Sequence, residues 1–168
     1  MDFYEVIKKR RSVRSYQSTP VPEDALNRIA EAVQLAPSAC NLQPWKFKVI
    51  TNPEMIAAIA ANYSRDWLKD APAIAVLLGN EKEAWKRFDG KTILNVDIGI
   101  AMEHFVLAAT AEGLATCWIC AYDVPKMNDA VKAPLTWNAL AITPLGYSDA
   151  EVKDVPRKPI NKIFEIVD

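Results

Sequence analysis

Apolar residues at Phe3, Val6 and Ile7 follow Asp2 with i, i+3, i+4 spacing, and Glu5 stands three residues after the acid. That pattern predicts a short capped helix at the N-terminus. Leu26, Ile29, Ala30 and Val33 repeat with helical spacing after Pro22, which suits a first helical position, and Pro37 stops the run. Trp45, Phe47 and Val49 alternate with Lys46, Lys48 and Ile50, as in a strand with one buried face, and Pro53 to Asn62 reads as another helix. Ala73 to Leu78 reads as a buried strand. Thr92 to Glu112 is long, mostly apolar and almost free of breakers, with Gly113 placed where a helix often ends. Its apolar residues lie nearly all round, which predicts cover from its own sheet and from a second body such as a partner subunit. Leu114 to Cys120 and Ala139 to Leu145 supply two further strands, separated by a helical piece over Pro125 to Val131. The tail beyond Pro156 carries Ile160, Ile163, Phe164, Ile166 and Val167, and a segment that apolar needs a surface, on its own core or a neighbour. Strand and helix alternate without the steady rhythm of a doubly wound fold, so a mixed α+β sheet is expected.

The 168 residues and 51% apolar content suit one domain, residues 1–168, with a sizeable core. No run is expected to span a membrane, and the N-terminus lacks the apolar centre of a signal peptide. Three cysteines, Cys40, Cys117 and Cys120, are too few for a secreted disulfide framework, so a cytoplasmic location is expected.

Charge changes the picture locally. Lys and Arg total 20 against 21 Asp and Glu, yet five cations, Lys8, Lys9, Arg10, Arg11 and Arg14, fall within seven residues. The overall balance argues against a nucleic-acid binder, whereas guanidiniums around Ser12 suit a terminal phosphate. From charge alone a solvated helix end, with cations at the negative pole of the dipole, is the simpler reading. The segment Pro37-Ser38-Ala39-Cys40-Asn41-Leu42-Gln43-Pro44-Trp45 holds a hydroxyl and two carboxamides between prolines, which suits either the edge of a heteroaromatic ring or an ordinary polar turn.

Other chemistry has little foothold. The single histidine, His104, falls in the long helix and reads as a hydrogen-bonded core residue, and no metal site is expected. The five glycines build neither a dinucleotide fingerprint nor a phosphate-binding loop of the ATPase kind. Cys117-Trp-Ile-Cys120 has redox spacing, but it lies inside an apolar run with no nearby cation in sequence, and on a strand the two thiols would face opposite sides.

Arg10-Arg11-Ser12-Val13-Arg14, the Pro37 to Trp45 segment, Asp97-Ile-Gly-Ile-Ala leading to Gly113-Leu, Cys117-Trp-Ile, Pro144-Leu-Gly-Tyr and Arg157-Lys158-Pro159 occur in order from about Phe3 to Ile160. Together they resemble the FMN-dependent nitroreductase family. The resemblance implies a largely antiparallel central sheet flanked by helices, in a homodimer with FMN at the subunit interface. It assigns the flavin phosphate to Arg10, Arg11, Ser12 and Arg14, with Arg14 near the N1 and O2 edge of the ring, and to the late pair Arg157 and Lys158. Pro37, Ser38, Ala39 and Asn41 match the segment given by the partner subunit, with Gln43 bracing the turn or touching the flavin. Ile119, Cys120 and Ala121 match the stretch offering a backbone N–H to N5, although many relatives carry glycine where this chain has Cys120.

The activity so implied is ping-pong transfer from NAD(P)H to an electron-poor small molecule such as a nitroaromatic or quinone, with no catalytic residue from the protein. The chain is short for the family, which implies an open pocket. Related flavoproteins that perform reductive dehalogenation, flavin breakdown or dehydrogenation form the alternative. A non-enzymatic anion or nucleic-acid binder and a Cys117/Cys120 thiol oxidoreductase stand further off.

Overall fold

The computed structural model describes residues 1–151 and 154–167. Five helices and four strands alternate along them: α1 (Phe3–Lys9), α2 (Glu23–Gln34), β1 (Trp45–Ile50), α3 (Pro53–Ala60), β2 (Ala73–Gly79), α4 (Leu94–Ala111), β3 (Ala115–Thr116), α5 (Val124–Ala130) and β4 (Asn138–Gly146). The strands form one antiparallel sheet in the order β1-β2-β4-β3, with helices on both faces. The only parallel pairing among the described residues is an isolated bridge from Ser12 to Thr116.

Strand alternation divides the core in two. Ala73, Ala75 and Leu77 of β2 join Ile29, Val33, Met102 and Phe105 of α2 and α4, while Ile74, Val76 and Leu78 join Ile59, Met127 and Val131 of α3 and α5. A strand buried on both faces reads as an unbroken apolar run, which is why Ala73 to Leu78 lacks alternation. The same two-sided cover corrects the expectation for β1. Trp45 and Phe47 pack on the α4 side, where Phe47 stacks on Phe105 with ring centroids 5.0 Å apart, but Ile50 is buried on the opposite side and Val49 is 37% exposed.

Helix ends follow local chemistry. The Asp2 carboxylate accepts the Glu5 N–H at 3.0 Å and Asn52 accepts that of Met55 at 3.0 Å, each satisfying an otherwise free donor of the first turn. Pro22 takes the cap position of α2 rather than its first residue, and Ala25 is buried where Ala30 is exposed. Gly113 closes α4 at φ 77°, with Leu114 N–H reaching back to Ala109 O at 2.8 Å.

Three expectations are corrected. The run Leu114 to Cys120 is paired as a strand only at Ala115–Thr116, because the Cys117 N–H donates to the Thr143 hydroxyl at 3.1 Å instead of to a backbone partner; pairing resumes at Ile119 with Ile142. Of the apolar stripe on α1 only Val6 is buried, leaving Phe3 and Ile7 exposed. Helix α4, with 18 residues and a mean hydropathy of 1.2, has the length and composition of a membrane span, yet eight of its residues, Met102 and Phe105 among them, are buried. The tail residues Ile160, Ile163, Phe164, Ile166 and Val167 are exposed and find no cover among the described residues.

Candidate functional site

Helix α1 ends where Arg10 N–H donates to Val6 O at 2.9 Å, and the chain then turns extended. The bridge at Ser12 and the Val13 N–H to Thr116 O bond of 2.9 Å lay this strip along the end of the sheet. Arg10, Arg11, Ser12 and Arg14 thereby line a cleft of about 550 Å³, closed on its other side by Ala150, Glu151, Val155 and Arg157. Three guanidiniums close together in sequence and a fourth, Arg157, from near the other end of the chain so line one space.

They are not equivalent. Arg11 is bent back, with Nη1 donating to Arg10 O at 2.9 Å and to Lys8 O, and Nη2 to Asp154 Oδ1 at 3.4 Å. Its charge therefore caps the last carbonyls of α1. Its Nε is buried without an acceptor. Arg10, Arg14 and Arg157 have no carboxylate within 4.0 Å among the described residues. Like charges gathered without carboxylates in contact repel one another unless an anion or solvent offsets them. Lys8 and Lys9 are exposed on the last turn of α1; Lys158 is exposed and is not part of the cleft lining.

Beneath the strip lies Cys117. Burial pushes its thiol pKa up, against the lowering fields of Arg14 and Arg10 and a hydrogen bond with Ser12. Burial likewise pushes the Tyr16 phenol up, and its hydroxyl donates to Val13 O at 2.7 Å. These contacts tie Ser12 and Val13 of the strip to Cys117 and Tyr16.

The Pro37 to Gln43 segment lies elsewhere: within a single chain it forms no part of the basic cleft lining. Its backbone is unusual, with Cys40, Asn41 and Gln43 at φ 50°, 55° and 48°. Left-handed residues other than glycine each cost on the order of 1 kcal/mol and persist only where neighbours hold them. Here the Ser38 hydroxyl accepts the Gln43 N–H at 2.9 Å, and the Gln43 amide donates to Asn41 Oδ1 at 2.8 Å. Gln43 thus braces the turn.

The third tie comes from outside the segment. Ala39 N–H donates to Asp97 Oδ1 at 3.1 Å. Asp97 is 1% exposed and its Oδ2 has no donor. A buried polar atom left unpaired costs about 1–3 kcal/mol, more when charged, so this carboxylate is a poor choice for stability alone. The sequence reading places Asp97 in the Asp97-Ile-Gly-Ile-Ala motif but gives it no role in the site; the available signal is an acid within the apolar first turns of α4.

The Ile119 N–H and C=O are both committed to Ile142, at 2.9 and 3.0 Å. The N–H groups of Cys120 and Ala121 make no backbone hydrogen bond among the described residues, and both residues are exposed. The Cys120 thiol accepts the Trp118 indole N–H at 3.2 Å, while Cys117 is buried, so the two sulfurs occupy different environments. His104 Nδ1 lies 3.0 Å from Ala32 O and ties α4 to α2, a core role.

A model of the nitroreductase family matches residues 7–88 and, in a second overlapping stretch, 58–147. The chain belongs to the nitroreductase family. A Methanothermobacter thermautotrophicus protein that carries the name NADH dehydrogenase/NAD(P)H nitroreductase is 33% identical over 153 residues, 88% of this chain and 78% of that one. Among solved structures, an FMN-dependent nitroreductase from Clostridium difficile superposes with a TM-score of 0.83 at 27% identity, covering 97% of this chain and 98% of its own. Iodotyrosine deiodinase 1 of Sus scrofa is 26% identical over 198 residues, 99% of this chain and 68% of its own length. The α+β architecture with a central antiparallel sheet is therefore that of the nitroreductase family, and oxidoreductase activity in general follows from membership.

Proposed function

We propose that this nitroreductase-family chain is an FMN-dependent oxidoreductase, working as a homodimer, that passes reducing equivalents from NAD(P)H to electron-poor acceptors such as nitroaromatics or quinones. The observation that carries the reading is the cleft of about 550 Å³ in which Arg10, Arg11, Arg14 and Arg157 converge around Ser12. Its chemistry fits a phosphate: three guanidiniums, of Arg10, Arg14 and Arg157, without a carboxylate partner among the described residues, a hydroxyl, and a buried Arg11 Nε that still lacks an acceptor.

Arg10, Ser12, Arg14 and Arg157 would hold the FMN phosphate, with Arg11 contributing charge from its braced position and Lys158 adding to the field. Ser38, Ala39 and Asn41 would reach the ring from the partner subunit, since in one chain they stand apart from the cleft. The free N–H groups of Cys120 and Ala121 would serve as donors to the ring edge. FMN supplies the hydride chemistry when bound, which relieves the protein of any need for a nucleophile or catalytic histidine. The chain's own task is to fix the cofactor, present hydrogen-bond donors and leave one face open to donor and acceptor in turn.

A second reading, reductive dehalogenation, is favoured by the full-length similarity to iodotyrosine deiodinase 1. Steady-state assays of FMN-loaded protein with NADH and NADPH decide between them. Turnover of nitroaromatics and quinones, with no iodide released from iodotyrosine, is the expected result. Iodide release without nitro reduction would favour the alternative, and no turnover of any acceptor would remove the proposal.

A further inference from the structure

We infer that Asp97 is a positioning residue for the flavin ring, holding the Ser38–Asn41 turn in the form that presents it to the cofactor. The inference rests on the FMN reading above and adds to it a residue remote from the phosphate cleft. Three facts combine. Asp97 Oδ1 accepts the Ala39 N–H at 3.1 Å, the one tie from this turn to the helix behind it. The turn it holds contains Cys40, Asn41 and Gln43 in the left-handed region, so without external restraint the backbone would relax. The carboxylate is 1% exposed with Oδ2 unpaired, in a helix whose buried neighbours Leu94, Ile98, Ala101 and Met102 are all apolar.

A leucine in that place would suit the core better. A half-satisfied carboxylate retained there is explained by what its satisfied oxygen does. Its position in the first turn of α4 is compatible with charge, because the free N–H groups and dipole of the helix end favour an anion. The remaining restraints, Ser38 Oγ to Gln43 N–H and Gln43 to Asn41, act within the turn and shape it. Among the described residues, the bond to Asp97 is the one hydrogen bond that ties Ser38 to Gln43 to an element other than the adjoining β1. Loss of the anchor should leave the fold intact and let the turn drift, so that it meets the isoalloxazine ring less often.

The test compares Asp97→Leu, Asp97→Ser and Asp97→Asn with the natural chain. Fluorescence quenching gives the Kd for FMN and for riboflavin, the visible spectrum of bound flavin reports the ring environment, and thermal melting of the apoprotein reports the fold. Asn keeps an oxygen for the Ala39 N–H and is expected to stay within about three-fold of the natural Kd. Leu lacks the acceptor and Ser is too short, so both should weaken FMN and riboflavin alike by roughly ten-fold or more, the equivalent of a charge-assisted hydrogen bond, and shift the visible band. Apo Asp97→Leu should melt no lower than the natural protein. Should Asp97→Leu fail to fold, Asp97→Ser carries the same expectation.

Unchanged affinity and spectrum in the folded variants overturn the inference, as does a loss in Asp97→Asn equal to that in Asp97→Leu. A loss confined to FMN, with riboflavin unaffected, also overturns it, since that would place the effect at the phosphate. If the natural chain binds neither flavin, the FMN reading itself falls. That outcome is distinct from all the others.

Discussion

At the residue scale, the cations near the N-terminus have different work to do. Arg11 spends its Nη groups on the carbonyls of Lys8 and Arg10 and on Asp154, whereas Arg10 and Arg14 line the cleft with no carboxylate within 4.0 Å among the described residues. Arg10→Ala is therefore expected to weaken FMN binding at least ten-fold, because a hydrogen bond to a charged group is worth about 1.5–3 kcal/mol, while leaving the fold intact; isothermal titration checks it. Riboflavin, which lacks the phosphate, should bind both proteins equally. The thiols give a second prediction. Burial raises the Cys117 pKa, so at pH 8 it stays a protonated thiol, whereas Cys40 and Cys120 are exposed. Mass spectrometry after brief iodoacetamide treatment should find Cys40 and Cys120 labelled and Cys117 spared. The Cys117→Ser/Cys120→Ser double variant should keep turnover, whereas its abolition would support thiol chemistry.

At the element scale, what was readable in the sequence divides by distance along the chain. The caps Asp2 and Asn52, the stop at Gly113 and the buried strand at Ala73 to Leu78 all follow from residues within a few positions. The break in β3 does not, because it is set by the hydroxyl of Thr143 26 residues away. Nor does the anchoring of Ala39, which depends on an acid 58 residues distant. The exposure of Val49 belongs with these: it lies on β1, the edge strand of the sheet, and alternation along six residues says nothing of what covers each face. The basic strip and the polar turn were visible as compositions, but their separation within one chain was visible only in three dimensions. Gly113 tests the local half of this account. At φ 77° a Cβ would meet nothing within 4 Å, so Gly113→Ala should lose about 1 kcal/mol from backbone conformation alone, measured by urea denaturation.

At the scale of the whole molecule, two exposed apolar surfaces await partners. Ile160, Ile163, Phe164, Ile166 and Val167 form an apolar tail, and Met1, Phe3, Tyr4 and Ile7 an apolar edge on α1. Exposed apolar residues in such number favour burial against a second copy, which the proposed flavin site, divided between subunits, would also require. Sedimentation equilibrium should give twice the 18.7 kDa chain mass. Phe164→Asp, which would place a charge in the proposed contact, should shift the equilibrium toward monomer and lower FMN retention with it. A monomer that binds FMN fully would break the link between assembly and site.

The most direct measurement of the central claim is a titration of the purified protein with FMN and, in parallel, riboflavin, followed by addition of NADH or NADPH under anaerobic conditions. The account predicts saturable binding of one FMN per chain, distinctly weaker binding of riboflavin, and bleaching of the bound flavin by the nicotinamide. Failure to bind FMN, equal affinity for the two flavins, or a bound flavin that stays yellow with both donors would contradict it.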